Sequence, residues 1–513
     1  MGGIRLSLRR VLALVLCLLA PGIAQAADDL SAAVTQFYEM RQGRLAWNAP
    51  GMIDQLVANL QRLSTDGLNP EDYGVALLQS GAGDDAQRDR IATRSCLLAL
   101  LHLYRGKLDP ATLHSRWNLK PREIDRAAGL KSVSDALDRG EVDALFERAR
   151  PEHLIYARLR AALGELRDVE SRGGWPVIPA GPTLEPGTSG ARVALLRRRL
   201  VLGGYLPETS ADADAYDETV EAAVRRFQDE QYLEPDGKVG RATLRSLNVT
   251  VAARIAQLRV NLERARWVLP RIAGDFVMVD VAGYKVRYFR NGQVVWTSKV
   301  QVGRTMRRTP IFKARITNII LSPTWTVPPR ILREDVLPKV REDIGYLAQN
   351  RIRVLDGRGR EVDPRKVDWG APNGLLLRQD AGPDNSLGRI KIVFPNPYDV
   401  YLHETPHKEL FDKSQRAFSS GCIRVERPFE LAELLFDGTQ SKEALESAAD
   451  EVQTREVRLP HPVPILVMYW TVDLHDARIA FKPDLYRLDA PTLAALTTPL
   501  PPPPSPPAPL SPQ

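Results

Sequence analysis

Cysteine is scarce in this chain: 513 residues contain only 3, so a disulfide framework is excluded as the source of its stability. An excess of one charge is also missing, because 70 basic and 63 acidic side chains leave a net charge of +7. That balance is too weak to predict a nucleic-acid partner. After the N-terminal segment no apolar run approaches the roughly 18 residues of a membrane-spanning helix, so we expect no permanent membrane span. The length predicts about three domains.

Residues 1–26 have the composition of a secretory signal peptide. A basic start that includes Arg9-Arg10 precedes an apolar run from Val11 to Ala20 and the small-residue triplet Ala24-Gln25-Ala26. This order predicts export and cleavage after Ala26. An uncleaved amphipathic anchor and a twin-arginine export route remain open alternatives.

Residues 27–175 follow a helical pattern. Leu56, Leu60 and Leu63 recur at the spacing of one helix face, as in an amphipathic helix that packs on a core. Cys96 lies in an apolar run of helical length, which indicates packing rather than chemistry. The region shows no catalytic constellation, and we interpret it as a helical scaffold domain.

Residues 185–250 follow a linker rich in glycine and proline, and their pattern predicts three short amphipathic helices. The first helix carries Val193, Leu196 and Leu200 on one face and ends at Gly203-Gly204, where glycine suits a helix C-terminus. Periodicity alone predicts a three-helix bundle.

Residues 272–490 change to the period-two alternation of β-strands. Asn291-Gly292 between two such runs predicts a hairpin. Residues 328–377 are rich in proline and charge, and this composition predicts an insertion that caps one end of the sheet. The composition of residues 491–513 predicts a proline-rich tail without a core. The expected fold class is therefore multidomain α+β: a helical N-terminal scaffold, a small three-helix domain and a mainly-β domain with an inserted capping subdomain.

The segment His403-Glu404-Thr405-Pro406-His407 satisfies the H-E-x-x-H pattern of zinc peptidases. That chemistry needs both histidines on one face of a helix. Pro406 disfavours a helix, and the preceding residues have the pattern of a strand. We therefore expect no metal at this segment.

A cysteine nucleophile with a histidine base is the better interpretation. Cys422 lies in a Ser420-Gly421-Cys422 turn, where glycine permits a tight bend and main-chain amides could face an oxyanion. Tyr401 and His403 share one strand face, and Arg424 lies two residues beyond the cysteine. An imidazole neighbour would ionise the thiol. His407 is the alternative base.

These residues resemble the signature of L,D-transpeptidases with a YkuD-type catalytic domain, and the domain order resembles their large multidomain YcbB type. Residues 190–248 resemble a peptidoglycan-binding domain. Further agreement comes from several short motifs, namely Ser322-Pro323, Trp325, Arg378-Gln379, Asn385-Ser386-Leu387-Gly388, Phe394-Pro395-Asn396 and Leu459-Pro460. The chain departs from many members at Ser420, where they have histidine.

The resemblance implies Cys422 as nucleophile and His403 as base, with Tyr401, Ser420, Gly421 and Arg424 in the substrate pocket. Trp325 and Arg378 are further pocket candidates, for which packing is an equal alternative. The implied partners are donor and acceptor stem peptides of peptidoglycan, and carbapenems as inhibitors, with no cofactor. The implied function is a periplasmic enzyme that forms 3-3 cross-links through a thioester.

Other functions remain open at this point. The acceptor could be a lipoprotein that the enzyme attaches to peptidoglycan or detaches from it, or water could replace the amine. A non-catalytic wall-binding scaffold is the alternative outside enzyme chemistry.

Overall fold

The computed structural model describes residues 20–500 except 82, 114–116, 120–121, 209–212, 272–273 and 476–477. The predicted signal peptide therefore lies mostly outside the described residues, as do residues 501–513 of the predicted tail. Among the described residues, every helix is too short or too polar to traverse a bilayer.

The N-terminal region is helical, as the sequence predicts. Leu56 and Leu60, spaced by four residues on one helix, are fully buried together with Phe37 and Phe146. Its helices are α1 (Ala20–Met40), α2 (Met52–Arg62), α3 (Val75–Gln79), α4 (Asp85–Arg105), α5 (Pro110–Leu113), α6 (Arg126–Asp138), α7 (Val142–Ala149) and α8 (Leu154–Ser171). Cys96 is fully buried in this core, in keeping with a packing role.

The predicted three-helix unit is present and has a core of its own. Its helices are α9 (Ala191–Leu202), α10 (Glu218–Glu230) and α11 (Arg241–Leu247). Val193, Leu196 and Leu200 are fully buried on the inner face of α9. Buried Gln228 orders the turn before α11, because its side-chain amide donates to Lys238 O at 2.9 Å and accepts from Gly237 N at 2.8 Å.

Helix α12 (Val251–Val268) joins this unit to the β-domain and is buried along most of its length. The Arg266 guanidinium forms a 2.6 Å ion pair with Glu263, and both side chains are fully buried. Arg266 also donates to Tyr156 Oη and to Asp66 O at 2.9 Å, while Glu263 accepts from Leu108 N at 2.8 Å. These polar contacts join the scaffold to α12. We call this contact region around Arg266 and Glu263 the seam, and both of its charged side chains are paired.

The C-terminal domain is built around a mixed sheet that closes on itself. The ring order is β5-β12-β2-β3-β4-β11-β10-β9, and β9 pairs again with β5. Short strand β1 (Trp117–Asn118) joins the outer side of β5. The other strands are β2 (Phe276–Asp280), β3 (Lys285–Arg290), β4 (Gln293–Gln301), β5 (Ile311–Leu321), β9 (Ile390–Val393), β10 (Leu402–His403), β11 (Ile423–Val425) and β12 (Arg455–Met468).

The predicted hairpin between β3 and β4 is confirmed. Arg290 pairs with Gln293 across the turn, and Asn291 and Gly292 have φ angles of 51° and 75°. Two consecutive positive φ angles are typical of the tight turn that joins twisted antiparallel strands. Helices α16 (Pro428–Phe436) and α17 (Lys442–Asp450) pack beside the sheet, and the hairpin β13 (Val472–His475) and β14 (Arg478–Phe481) follows it.

The segment between β5 and β9 forms a separate subdomain, the cap. Its three-stranded sheet has the order β6 (Trp325–Thr326), β8 (Leu376–Gln379), β7 (Ile352–Leu355). Its helices are α13 (Pro329–Ile331), α14 (Leu337–Glu342) and α15 (Gly345–Gln349), with a π-helical turn at Leu332–Val336. Val354, Leu377 and their neighbours form an apolar core distinct from that of the barrel.

The prediction of a coreless tail beginning at residue 491 is wrong for its first residues. Helix α18 (Asp489–Thr497) continues past this boundary, and Leu496 is buried in the N-terminal helical core. Lys107 Nζ donates to the carbonyls of Leu496 and Thr498 at 3.0 Å. The apolar Leu493-Ala494-Ala495-Leu496 run supplies a helix face that composition alone did not distinguish from the prolines after it.

Candidate active site

The turn before Cys422 is held by side-chain bonds to its own backbone. Ser419 Oγ donates to Cys422 O at 2.5 Å and accepts from Gly421 N at 3.1 Å. Gly421 has a φ of 124°, a backbone conformation that residues with a Cβ rarely adopt. Ser419, which the sequence analysis missed, therefore shapes the turn, and it occupies the Gly421 amide that we had considered for an oxyanion.

The sheet brings four of the predicted residues onto one face. Parallel strands β10 and β11 pair Leu402 with Ile423 and His403 with Arg424, and Ile423 N donates to Tyr401 O at 3.1 Å. Side chains alternate along a strand. Tyr401 and His403 on one strand therefore share a face with Cys422 and Arg424 on the next.

His403 is buried and electrically neutral. Its side chain is 3% exposed, and Nδ1 donates to Glu404 O at 2.5 Å, because a carbonyl can only accept. In the neutral ring this bond leaves the proton on Nδ1 and the lone pair on Nε2. Burial, together with the charges of Arg424 and Lys391, lowers the pKa of His403 to about 3, although main-chain carbonyls of Glu404 and Leu387 oppose the shift.

Cys422 is a free, half-buried thiol. Its Sγ lies 3.7 Å from Asp399 O. Burial raises the pKa of the thiol, and hydrogen bonds with Tyr401 and the charges of Lys391 and Arg424 only partly offset the rise. With the histidine pKa lowered and the cysteine pKa raised, the resting pair is a neutral thiol and a neutral imidazole. These shifts do not favour the ionised thiol that the sequence predicts.

Tyr401 links the two reactive groups to the cap. Its ring centroid lies 5.6 Å from that of His403 in an edge-on arrangement, and its hydroxyl hydrogen-bonds with Cys422. The indole N–H of Trp325 also hydrogen-bonds to this hydroxyl. Trp325, the first residue of β6, therefore lies beside Tyr401.

Arg378 does not join this group. Strands β6 and β8 pair Trp325 with Gln379 and Thr326 with Arg378, so Arg378 lies on the face of the cap sheet opposite to Trp325. Its Nε donates to Thr326 Oγ1 at 3.1 Å. The structure thus separates the two cap residues that the sequence placed together in the pocket.

Ser420 connects the nucleophile turn to the cap through Arg307. Arg307 Nη1 donates to Ser420 Oγ at 2.8 Å, and the same guanidinium pairs with Glu334 at 2.8 Å and with Asp335 of the π-helical turn. Arg307 is buried although its partners are half-exposed. The sequence analysis missed Arg307, because only the tertiary fold brings it to residues more than twenty positions away.

His407, the alternative base, is exposed, in contrast to the buried His403. Its side chain is 63% exposed and lies 3.6 Å from the Glu409 carboxylate. The two histidines of the H-E-x-x-H segment do not share a helix, since His403 lies on β10 and His407 precedes a 3-10 turn. In the described ranges of the chain, no three metal-ligating side chains cluster together.

Three segments of the chain match family models. Residues 274–446 match the L,D-transpeptidase catalytic domain named YkuD, residues 32–163 match a scaffold domain, and residues 189–247 match a provisionally described peptidoglycan binding domain. The YkuD match covers the cap and every strand of the ring except β12, and the other two matches lie in the N-terminal helices and the three-helix unit.

A relative from Haemophilus influenzae, provisionally named an L,D-transpeptidase, is 33% identical over 270 residues. The match covers 50% of this chain and 54% of the relative, so the chain spans about half of that protein's length.

Three solved L,D-transpeptidases are more distant. The Xylanimonas cellulosilytica protein is 17% identical, with 56% of this chain and 99% of that chain covered and a TM-score of 0.18. The Stackebrandtia nassauensis protein is 12% identical, with 57% of this chain and 96% of that chain covered and a TM-score of 0.22. An L,D-transpeptidase solved in complex with imipenem is 17% identical, with 38% and 60% covered and a TM-score of 0.17.

Proposed function

We propose that this chain, which carries a catalytic domain of the YkuD L,D-transpeptidase family, is a periplasmic enzyme that forms 3-3 cross-links in peptidoglycan through a thioester on Cys422. The observation that carries the proposal is the arrangement of Cys422, His403 and Tyr401 on one face of parallel strands. A wall substrate is favoured by the peptidoglycan-binding segment, and export is favoured by residues 1–26.

In the first step, Cys422 Sγ attacks the carbonyl carbon of the third residue of a donor tetrapeptide. His403 takes the thiol proton as the carbon–sulfur bond forms and returns it to the nitrogen of the leaving D-alanine. The amide bond breaks, and a thioester remains on Cys422. A neutral thiol and a neutral imidazole suit this order, because the proton moves during attack rather than before it.

In the second step, an amine of an acceptor stem attacks the thioester. The carbon–sulfur bond breaks as the new amide forms, and the proton of the amine returns to the sulfur through His403. Tyr401 and Trp325 are positioned to orient the acyl group beside the sulfur. These two reaction steps need no cofactor, because the acyl group moves from one nucleophile to another and the oxidation level of its carbonyl carbon does not change.

Carbapenems test the nucleophile directly, because they present an activated carbonyl to the same sulfur. We expect the intact mass of the wild-type protein to increase by one carbapenem, and the Cys422→Ala protein to show no increase. No adduct on the wild type, or an equal adduct on Cys422→Ala, would overturn the assignment.

Muropeptide profiling of purified sacculi then identifies the acceptor. A new dimer with a direct 3-3 linkage supports the proposal. Tripeptide products alone indicate hydrolysis, and release or gain of a protein-linked muropeptide indicates lipoprotein chemistry. If Cys422→Ala restores the phenotype of a null strain fully, a wall-binding scaffold replaces the enzyme as the preferred function.

The cap is proposed to act as a lid that excludes water and so favours an amine acceptor. The ties from Arg307 to Ser420 and to two cap carboxylates support this role. A lid held at the nucleophile turn would limit the access of water to the thioester.

A further inference from the structure

Lys391 lies on the reactive face of the sheet, although no motif in the sequence singled it out. It is the residue of β9 that pairs directly with His403 of β10, and directly paired residues share a face. Its Nζ lies 3.9 Å from the centroid of the Tyr401 ring. The lysine side chain therefore reaches from β9 across β10 toward the strand that carries Cys422.

This ammonium group lacks a counterion. In the described part of the chain no carboxylate forms an ion pair with Lys391, although Cys422 and Asp399 act on it electrostatically. Lys391 is half-buried, and burial lowers its pKa. An incompletely solvated cation without an anion is unfavourable. The site therefore favours an anion that arrives with the substrate.

Arg424 gives a second indication of a missing anionic or acceptor group. Its Nη1 donates to Gln301 Oε1 at 3.1 Å. Its Nε is buried and has no hydrogen-bond acceptor within the described residues. Buried donors are nearly always paired in folded proteins, so an exception beside the nucleophile indicates that a ligand completes the site.

We propose that Lys391 binds the terminal carboxylate of the acyl donor. The inference rests on the proposed function and identifies the residue that recognises the donor's chain end. In a donor that loses its last residue, the terminal carboxylate is separated from the attacked carbonyl by only the amide nitrogen and one Cα, a span of about 4 Å. Neighbouring strands lie about 4.8 Å apart. The Lys391 ammonium, which lies over the Tyr401 ring on the strand next to Cys422, is therefore placed to reach that carboxylate.

The test compares a tetrapeptide donor with its C-terminal amide, which differs by one negative charge. We expect the wild-type kcat/KM to favour the carboxylate donor by about 10-fold or more, as for charge-assisted hydrogen bonds. Lys391→Gln should bring this ratio close to one by slowing only the carboxylate donor, and Lys391→Arg should restore most of it. Lys413→Gln, which removes an exposed lysine, is the matched control and should keep the wild-type ratio.

An unchanged ratio in Lys391→Gln, or an equal loss for both donors, would overturn the inference. The inference would also be wrong if the loss of kcat/KM in Lys391→Gln disappeared when the acceptor, rather than the donor, was amidated. Lys391 would then bind a carboxylate of the acceptor.

Binding measured by calorimetry in the Cys422→Ala protein separates this inference from the proposed function. A carboxylate preference that disappears with Lys391→Gln supports the site even if the wild type transfers nothing, an outcome that would refute only the proposed function. Transfer by the wild type without any preference refutes only the role of Lys391.

Discussion

Two groups of buried charge in this molecule are built on opposite principles. In the seam around α12, the fully buried Arg266 and Glu263 contact each other, and both also bind the scaffold through Asp66 O, Tyr156 Oη and Leu108 N. On the face of β9, β10 and β11, Lys391 and Arg424 have no carboxylate partner among the described residues. Charges that hold domains together are paired within the chain, whereas our proposals assign the charges beside Cys422 to a substrate.

The largest expected effect separates chemistry from structure. Cys422→Ala should reduce transfer by roughly 1000-fold or more and leave the thermal unfolding temperature nearly unchanged, because alanine keeps the turn that Ser419 holds. Cys96→Ala is the matched control: it should retain activity and lower stability, since Cys96 is fully buried in the helical core. Product formation and calorimetric unfolding of both proteins measure the difference. Substantial transfer by Cys422→Ala would remove the nucleophile from our mechanism.

Breaking the buried ion pair in the seam should lower the free energy of unfolding. Glu263→Ala leaves Arg266 buried without its counterion, and breaking a buried pair in this way costs about 3–5 kcal/mol. Asp135→Ala, which breaks the exposed pair with Lys131, should change the free energy of unfolding by no more than about 0.5 kcal/mol. Denaturant unfolding provides both values. Equal effects of the two substitutions would mean that burial does not distinguish these pairs.

The pH dependence of alkylation tests the neutral thiol–imidazole pair. Burial raises the pKa of Cys422, so the reactive thiolate fraction should increase with pH and still be increasing above pH 9, the usual range of the thiol. The measurement is iodoacetamide labelling of a Cys17→Ala, Cys96→Ala protein, with free cysteine as reference. A rate that levels off near pH 6 would instead indicate a thiolate–imidazolium pair.

The cap ties should affect the choice of acceptor. Arg307→Gln removes the bonds to Ser420, Glu334 and Asp335. We expect it to raise hydrolysis relative to transfer by roughly 3- to 10-fold, within the range that loss of one or two charged contacts allows. Arg341→Gln is the control, because Arg341 donates only within the cap, to Trp369 O and Gly370 O. An unchanged product ratio for Arg307→Gln would argue against the lid, as would an unchanged ratio after deletion of residues 328–377.

The smallest effects distinguish the two faces of the cap sheet. Trp325→Phe keeps an aromatic ring and loses the indole N–H that reaches Tyr401, so kcat/KM should fall about 2- to 5-fold, the value of one hydrogen bond. Arg378→Gln should change kcat/KM less than about 2-fold, because Arg378 lies on the opposite face. The reverse ranking in steady-state kinetics would show that the cap reorients when substrate binds.

The local sequence pattern was sufficient to predict structure where residues close in the sequence are also close in space. The hairpin at Asn291-Gly292 and the inner face of α9 at Val193, Leu196 and Leu200 followed from turn chemistry and helical spacing. The pattern was insufficient for residues 491–497, where burial of Leu496 depends on a core formed by residues far away in the chain. The pattern was also insufficient for Arg378. Gln379 pairs with Trp325 and shares its face of the cap sheet, and the alternation of side chains along β8 places Arg378 on the opposite face.

The sequence by itself determined the domain order, the α+β class and the prediction of a cysteine–histidine pair, because helical and strand periodicity and the Ser-Gly-Cys turn are present in short stretches of residues. Only the tertiary structure decided that Lys391 pairs with His403, that Arg307 connects Ser420 to the cap, and that burial lowers the pKa of His403 and raises the pKa of Cys422. Strand register, burial and electrostatic surroundings arise from contacts between distant segments, and no local pattern of side chains specifies them.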